Sequence, residues 1–331
     1  MSRIAVIGAG AWGTALAISL ARRGGHQLTL WAHSPVHAEE LTDTGENLRY
    51  LPGFVLPMDI RITARLPEAI EGAQTILCVT PSQSLRSVME TIAPVLRPGQ
   101  CLLSASKGIE EKTFLRMSQI MAEHAPENPF GTLGGPSFAQ EVAAAMPTAI
   151  TVAAEDATLA RQWQDDFTSS SLRVYRNLDV IGTELGGALK NVIALAAGVV
   201  VGLDLGSNSA AALITRGMAE ITRLAMACGG RRETLAGLAG MGDLVLTCTG
   251  GLSRNRAVGV ELGKGRHLPE ILAGLNGKVA EGVRSTTAAL GLAARYGVEM
   301  PLTEQMAAIL HQNKLPQDAI RELMGRPGRT E

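Results

Sequence analysis

Three glycines at positions 8, 10 and 13 interrupt an apolar run at the start of the chain, which reads MSRIAVIGAGAWGTALAISLARR. Two structures fit such a run: a secretory leader, or a strand that turns tightly into a helix. A leader normally has an unbroken apolar core, whereas here glycines break the core and the strand-like HQLTLWAH follows. The GxGxxG spacing therefore predicts a strand, a glycine turn and a helix.

The size, charge and residue spacing of the chain argue against several classes of protein. Its 331 residues favour two domains, and a net charge of −1 with interspersed signs argues against nucleic acid or an anionic membrane as a partner. The longest later charge-free apolar run, residues 192–203, is shorter than the roughly 20 residues of a spanning helix, so no integral membrane segment is predicted. The four cysteines and six histidines lack the spacing of disulfide, zinc or Ser/His/Asp sites. A cytoplasmic protein without a metal is expected.

Two different patterns divide the chain. In residues 1–178 short strand-like runs alternate with helical patterns, which predicts a Rossmann-type, doubly wound and mostly parallel α/β sheet. The predicted strands are RIAVIG, QLTLWA, QTILCVT, QCLLSAS, TAITVAA and LRVYR, and the predicted helices span residues 12–23, 36–41, 85–96, 114–124 and 137–146. Residues 179–331 are rich in Ala, Leu and Gly and predict an all-helical C-terminal domain whose first helix is deeply enclosed.

Each glycine of the first turn has a separate expected role in holding a dinucleotide. Gly8 permits the tight turn, Gly10 lets the backbone approach the pyrophosphate, and Gly13 lets the helix pack on the sheet. The second strand ends in LWAHSP, so His33 replaces the acidic residue of an NAD-preferring site. Without a carboxylate to repel a 2′-phosphate, NADPH is expected to be accepted at least as well as NADH. An exposed loop histidine with no ligand is the alternative for His33.

Two lysines are candidates for chemistry on a substrate. Lys107 follows the strand-like CLLSAS and is expected at the sheet edge where open α/β folds bind ligands, unless it is an ordinary loop lysine. The segment GGPSFAQE predicts another strand-to-helix joint at residues 134–137, with donors for an anion. Lys190 lies in the apolar helix ELGGALKNVIALAAGVVVGLD, where burial lowers a lysine pKa and suits proton transfer. The alternative for Lys190 is a side chain that reaches out of a buried helix to solvent.

A second polar cluster lies in AGMGDLVLTCTGGLSRNR. It contains Asp243, Thr247, Ser253, Arg254 and Asn255. Ser253 is a candidate N-cap, and a helix N-terminus combined with an arginine suits a phosphate group. An exposed helix start without a ligand has the same appearance in sequence, so this interpretation stays open here.

Together these segments resemble the bacterial NAD(P)-dependent sn-glycerol-3-phosphate dehydrogenases. The resemblance covers nearly the whole chain, through GAGAWGTALA, SKGIE, GGPSFAQE, GTELGGALKNVIALAAG, NSAAALITRG, AGMGDLVLTCTGGLSRNR and KVAEGVRST. It implies reversible hydride transfer between NAD(P)H and dihydroxyacetone phosphate. The product, sn-glycerol 3-phosphate, would supply phospholipid synthesis, and the enzyme would be a cytoplasmic homodimer.

The resemblance also implies roles for individual residues, with Lys190 as the general acid/base. On physical grounds Asp243 is expected to orient Lys190 and to oppose the fall of its pKa on burial. The catalytic candidates are Lys190, Lys107, Asp243 and Thr247. The expected substrate contacts are Lys107, Gly135, Ser137, Lys190, Asp243, Ser253, Arg254 and Asn255. The expected cofactor contacts are Gly8, Gly10, Ala11, Trp12, Gly13, His33, Lys107, Ala139, Arg254, Val279 and Glu281. Ala11 departs from the family, which often has serine there, so a hydroxyl donor to the pyrophosphate is missing.

Two other functions remain as alternatives at this point. A β-hydroxyacid or sugar-acid dehydrogenase can have the same two-domain plan with a lysine in its helical domain, but its carboxylate substrate needs no phosphate site at SRNR. A non-catalytic dinucleotide-sensing regulator would keep GAGAWG without a reason to keep Lys107, Lys190, Asp243 and Arg254 together. Oxidation of the reduced cofactor separates the enzyme from the regulator.

Overall fold

The N-terminal half is built on a twisted sheet, as its alternating pattern predicts. The computed structural model describes residues 2–274 and 280–328. The strands are β1 Ser2–Ile7, β2 His26–Trp31, β3 Glu46–Asn47, β4 Leu51–Val55, β5 Ile60–Thr63, β6 Thr75–Cys78, β7 Cys101–Ser104, β8 Phe130–Gly134, β9 Thr148–Ala154 and β10 Leu172–Asn177. Eight of these form one sheet in the order β10-β9-β8-β7-β6-β1-β2-β5, while β3 and β4 form a separate hairpin.

Helices cover both faces of this sheet. They are α1 Ala11–Arg23, α2 Pro35–Thr44, α3 Leu66–Ala69, α4 Leu85–Ile92, α5 Met117–His124, α6 Ala139–Ala143 and α7 Ala157–Phe167. Successive side chains of a strand point to opposite faces, and β1 shows this in its packing. Ile4 and Val6 join one buried cluster, whereas Ala5 and Ile7 join another. Both faces are therefore apolar, which explains the nearly continuous hydrophobic run of the strand.

The C-terminal half contains helices and no strand among its described residues. The helices are α8 Val180–Gly202, α9 Gly206–Ala227, α10 Arg232–Ala236, α11 Asp243–Thr249, α12 Arg254–Gly263, α13 Leu268–Ala273, α14 Glu281–Tyr296, α15 Pro301–His311 and α16 Pro316–Met324, with a π-helical segment at Leu238–Gly242. The central helix α8 has 20 of its 23 residues buried. By length and hydropathy α8 could span a membrane, but 89% of its most apolar window is buried inside the protein. It is the core helix of this half.

Several sequence expectations need correction. The runs at β5 and β8 were not predicted as strands, since IRIT is short and FGTLG carries two glycines. TAITVAA and LRVYR do extend the sheet, but they join it through the antiparallel pair β8–β9. The helix expected from residue 114 begins at Met117, because Phe114 has a φ of 57°, outside the helical region. The other predicted helices differ from the observed ones at their ends, most at residues 137–146, where α6 is five residues long.

The segment between β7 and α5 packs against the helical half. Ile109 is fully buried in the main cluster of that half. A Cβ on Gly291 of α14 would lie 2.2 Å from the Phe114 ring, so the absence of a side chain there makes room for the phenyl group. Arg116 pairs with the buried Glu184 of α8. The loop that starts at Lys107 is therefore anchored on the helical half.

Candidate functional site

The central feature of the site is a carboxylate bridged by two lysines. Lys190, on α8, donates to Oδ1 of Asp243, and Lys107 donates to Oδ2 of Asp243 over 2.7 Å. The Asp243 side chain is completely buried, while 18% of the Lys107 side chain is exposed. Lys107 also donates to the carbonyl oxygen of Gly135 over 3.1 Å. Residues from the ends of β7 and β8 thus meet the helical half in one place.

Local packing explains why these three side chains meet. Gly187, one turn before Lys190, would place a Cβ 3.7 Å from the Lys107 side chain, so Lys107 lies over this glycine. A Cβ on Gly186 would lie only 2.6 Å from the carbonyl oxygen of Ala239, so α8 contacts the π-helical segment through backbone. Asp243 begins the next helix directly after that segment. The small residues of ELGGALKN therefore permit the approach that brings Asp243 to Lys190.

The electrostatic environment of Lys190 favours proton transfer near neutral pH. Burial lowers the pKa of Lys190 to about 7, and the positive charge of Lys107 contributes to the lowering. The negative charge of Asp243 opposes it. An amine with such a pKa exists in both protonation states at neutral pH, so it can give or accept a proton.

The start of α12 provides a second group of polar contacts. Ser253 is its N-cap, as expected, and its hydroxyl accepts a hydrogen bond from the Arg256 N–H over 3.3 Å. Arg254 is exposed as a residue, although partial burial of its guanidinium lowers the pKa of that group. Asn255 is buried, donates to Asn191 Oδ1 over 3.0 Å and accepts from the Gly282 N–H over 3.0 Å. Asn255 thereby connects α8, α12 and α14, and its expected substrate contact stays a prediction.

Glycines fix the position of α12 against α8. Two pairs with the same four-residue spacing face each other, Gly198 and Gly202 on α8 and Gly259 and Gly263 on α12. A Cβ on Gly259 would lie 2.0 Å from the carbonyl oxygen of Leu195, and a Cβ on Gly198 would lie 2.8 Å from the Cα of Gly259. The two backbones are therefore in direct contact. This contact sets the distance between Lys190 and the N-terminus of α12.

The three glycines of the first turn have different surroundings, which explain the lack of a side chain at each position in a different way. Gly8 has a φ of 124° and would place a Cβ 2.6 Å from the Val79 carbonyl oxygen, and a Cβ on Gly13 would lie 1.8 Å from the Gly8 carbonyl oxygen. Both are required by the fold. A Cβ on Gly10 meets no atom of the described chain within 4 Å beyond its immediate neighbours. The space beside Gly10 is open at the N-terminus of α1, where N–H groups suit a phosphate.

Two buried polar atoms near this turn lack partners. Trp12 Nε1 and Thr80 Oγ1 form no hydrogen bond with any residue that the structure describes. Trp12 follows the turn, and Thr80 lies just beyond β6, whose neighbouring Val79 packs against Gly8. Buried donors are normally paired. Together with the open space at Gly10, they fit a site for a polar, phosphate-bearing cofactor.

Glu281 connects the two halves across the same cleft. Its carboxylate accepts a hydrogen bond of 2.9 Å from the hydroxyl of Ser82, in the short 3₁₀ turn Ser82–Ser84 after β6. Burial raises the pKa of Glu281, while Ser82 and the nearby arginines oppose the rise. A Cβ on Gly108, next to Lys107, would lie 2.3 Å from the Ser82 hydroxyl, so the cleft is tightly packed here.

The remaining predicted residues lie at the sheet edge or in the helical half. His33 is exposed two residues after the end of β2, and Ala11 and Ala139 are half-buried at the first positions of α1 and α6. The Ser137 hydroxyl donates to the Gly135 carbonyl over 3.0 Å. Thr247 donates its hydroxyl proton to the Asp243 carbonyl over 2.6 Å, so that proton is already engaged. Val279 lies outside the described residues.

Sequence reasoning missed two residues of the site. Ser82 follows the predicted strand QTILCVT, and its place beyond a strand end was a usable signal. Asn191 follows Lys190 directly, but its partner Asn255 is 64 residues away and only the fold shows the contact. No group of three or more His, Cys, Asp or Glu suited to a metal ion occurs in residues 2–274 and 280–328.

Comparison with known proteins gives one consistent result. Two family models match, the NAD-dependent glycerol-3-phosphate dehydrogenase N-terminus over residues 3–160 and the C-terminus over residues 179–321. Glycerol-3-phosphate dehydrogenases [NAD(P)+] from Acidobacterium capsulatum and Koribacter versatilis are 58% and 56% identical, each over 100% of this chain and over 100% and 99% of their own length. The crystal structure of the Coxiella burnetii glycerol-3-phosphate dehydrogenase is 40% identical, with a TM-score of 0.94, over 98% of this chain and 99% of that chain.

Proposed function

We propose specific roles for the site residues of this chain, which belongs to the NAD-dependent glycerol-3-phosphate dehydrogenase family. As a member of that family it reduces dihydroxyacetone phosphate reversibly to sn-glycerol 3-phosphate with NAD(P)H. Lys190 is the general acid/base of the reaction. The observation that carries this assignment is the buried Lys190–Asp243–Lys107 bridge at the ends of β7 and β8.

The charges of the bridge suit ketone reduction. Bound NAD(P)H supplies the hydride, and negative charge then develops on the ketone oxygen. The Lys190 ammonium stabilises that charge and donates its proton to the oxygen. Asp243 keeps the ammonium oriented and raises its pKa against the effect of burial. In the reverse direction the neutral amine accepts the alcohol proton.

The substrate phosphate is bound at the start of α12. Arg254, the first residue of α12, supplies a guanidinium there, and the N–H groups of a helix N-terminus suit an anion. Lys107 adds a further positive charge near Gly135. This polarity fits a phosphorylated ketone better than a carboxylate, so the hydroxyacid or sugar-acid dehydrogenase is the weaker alternative. A non-catalytic regulator has no use for the lysine bridge.

The residues that would hold the dinucleotide are those of the glycine turn, with Glu281 and its partner Ser82 across the cleft. We infer that NADPH is used at least as well as NADH, because His33 places no negative charge at the end of β2. Values of kcat/KM for the two cofactors test this inference. A large preference for NADH would contradict it.

We further propose that the chain divides functionally into residues 1–178 and 179–331, and that it is a cytoplasmic enzyme that supplies phospholipid synthesis.

We also propose that the chain forms a homodimer. Val201 and Leu205, near the junction of α8 and α9, are 45% and 40% exposed and offer apolar surface to a second copy. Light scattering of the purified protein tests the dimer. A monomer at micromolar concentration would contradict it.

The proposed activity is tested by following NADPH oxidation at 340 nm with dihydroxyacetone phosphate. The assay is repeated with dihydroxyacetone and with glyoxylate as unphosphorylated controls. We expect oxidation that depends on the phosphorylated ketone. Equal rates with a carboxylate substrate would favour the alternative dehydrogenase, and no oxidation with any substrate would favour the regulator.

A further inference from the structure

A buried asparagine outside the lysine bridge contacts the glycine turn. Asn47 lies in β3, after α2, and its residue is completely buried. Its amide nitrogen donates to the Ala9 carbonyl oxygen over 2.9 Å and to the Thr14 hydroxyl over 2.7 Å. Ala9 is the residue between Gly8 and Gly10. The β3–β4 hairpin, which no sequence pattern predicted, thus contacts the glycine turn through Asn47.

Asn47 is itself held in place. Its Oδ1 accepts from the Tyr50 N–H over 3.1 Å, and the His37 ring nitrogen Nε2 lies 3.2 Å from the same oxygen. With both its amide protons and its oxygen engaged, this side chain has one satisfied orientation. A buried amide of this kind is a rigid support for the groups that it contacts.

The contact with Ala9 determines where the next N–H group points. None of the described peptide bonds is cis, and in a trans peptide the carbonyl and the N–H point in opposite directions. Because the Ala9 carbonyl points towards Asn47, the N–H of Gly10 in the same peptide points away from it. The open space described above borders the same residue.

The second contact extends the support into α1. Thr14 is fully buried, and its N–H donates to the Gly10 carbonyl over 3.0 Å in the first turn of the helix. By binding both the Ala9 carbonyl and the Thr14 hydroxyl, Asn47 connects the peptide before Gly10 to the first helical turn after it. The donors of the turn are therefore fixed before a ligand arrives.

We propose that Asn47 is a positioning residue for the dinucleotide: it orients the Ala9–Gly10 peptide so that the Gly10 N–H faces the pyrophosphate. The proposal rests on the placement of the pyrophosphate at the glycine turn given above. Pre-orientation removes the need to order this peptide on binding, so its loss weakens binding of the cofactor and leaves the lysine bridge intact. A purely structural role for Asn47 would lower stability without a selective loss of cofactor affinity.

The test compares Asn47→Asp with a matched variant, Asn128→Asp. Asn128 is also buried, and its amide nitrogen donates to the carbonyl oxygens of Arg97 and Gln100 over 3.1 and 2.9 Å, before β8 and far in sequence from the turn. In both variants an oxygen replaces the donating nitrogen. The dissociation constant of NADPH is measured by fluorescence titration, with kcat at saturating cofactor and the melting temperature of each variant.

We expect Asn47→Asp to raise the NADPH dissociation constant about tenfold or more, the scale of one hydrogen bond to a charged group, with kcat within about twofold of the parent. Asn128→Asp should leave the dissociation constant within about twofold. If Asn47→Asp does not fold, the NADPH dissociation constant is measured on Asn47→Ala, which removes the donor without adding charge. Equal effects of the substitutions at positions 47 and 128 on NADPH binding would overturn the proposal.

Gly10→Ala separates this inference from the site on which it rests. Gly10 has a φ of −76° and room for a methyl group, so alanine is compatible with the fold but occupies the space next to the pyrophosphate. If Gly10→Ala weakens NADPH binding and Asn47→Asp does not, the positioning role is wrong and the site stands. If Gly10→Ala leaves NADPH binding unchanged, the placement of the pyrophosphate is wrong and the inference falls with it.

Discussion

The Lys190 ammonium donates a hydrogen bond to Oδ1 of Asp243, 53 residues later in the chain. Because the other oxygen of Asp243 accepts from Lys107, one buried carboxylate faces two lysines. Full pairing of the carboxylate avoids the cost of a lone buried charge, and the second lysine leaves the cluster with a net positive charge. An anionic substrate is favoured by this imbalance.

Replacing Lys190 tests the chemical step. Lys190→Ala should lower kcat for dihydroxyacetone phosphate reduction by about 100-fold or more, because both the stabilising charge and the proton donor are lost. The dissociation constant of NADPH should change little. Lys112→Ala, at an exposed lysine of the loop after Lys107, is the control and should retain parental kcat. Near-normal turnover of Lys190→Ala would remove this residue from the mechanism.

The pH dependence of the reaction tests the role of Asp243. Reduction requires protonated Lys190, whose pKa is about 7, so kcat/KM for reduction should fall as the pH rises through that value. Asp243 raises the pKa of Lys190, so Asp243→Asn should move this falling limb to lower pH.

Steady-state kinetics between roughly pH 5 and pH 9, about two units on either side of the Lys190 pKa of about 7, measure the shift. Glu261→Gln, at an acidic residue near the C-terminal end of α12 that pairs with Lys264 and Arg266, should keep the pH dependence of the parent. A limb that stays in place or moves to higher pH in Asp243→Asn would contradict the electrostatic assignment.

The phosphate contact is tested at Arg254. Arg254→Ala should raise the KM for dihydroxyacetone phosphate by about tenfold to 100-fold, the scale of a charge-assisted hydrogen bond, with a smaller change in kcat. Arg254→Lys should recover part of the loss because the charge remains. Arg266→Ala, which removes an exposed arginine paired with Glu261, is the control. An unchanged KM in Arg254→Ala would place the phosphate elsewhere.

The glycine contact between α8 and α12 predicts a linked loss of stability and activity. Gly259→Ala places a methyl group 2.0 Å from the Leu195 carbonyl oxygen, so the two helices must separate. We expect a loss of about 1–3 kcal/mol in the free energy of unfolding, as for an overpacked core. We also expect kcat/KM to fall by about 10- to 100-fold, because the start of α12 moves relative to Lys190.

Gly251→Ala provides the matched control for this prediction. A Cβ on Gly251 meets no atom of the described chain within 4 Å beyond its neighbours, although this glycine also precedes the start of α12. Chemical denaturation and steady-state kinetics are measured on both variants. Parental values in Gly259→Ala would show that the helices can separate without cost to the site.

Prediction from sequence succeeded where the signal is local. The β1–turn–α1 unit, the buried helix around Lys190 and the N-cap at Ser253 each depend on residues within one segment, and the structure confirms them. The strand β8 was missed because its two glycines carry little strand propensity, and its neighbours in the sheet stabilise it instead. The late start of α5 follows from the positive φ of Phe114, whose ring occupies the space beside Gly291 in a contact that no local pattern contains.

The amino-acid sequence by itself determined the division into an α/β half and a helical half, the glycine turn and the set of candidate side chains, since periodicity and turn chemistry act over a few residues. Only the tertiary structure decided that Lys107 and Lys190 share Asp243, that Ser82 meets Glu281, and that Asn47 supports the Ala9 carbonyl. Each of these pairs joins residues distant in the chain. The distances between the paired side chains depend on how closely the backbones of different elements approach each other. Glycines in separate elements together permit that close approach.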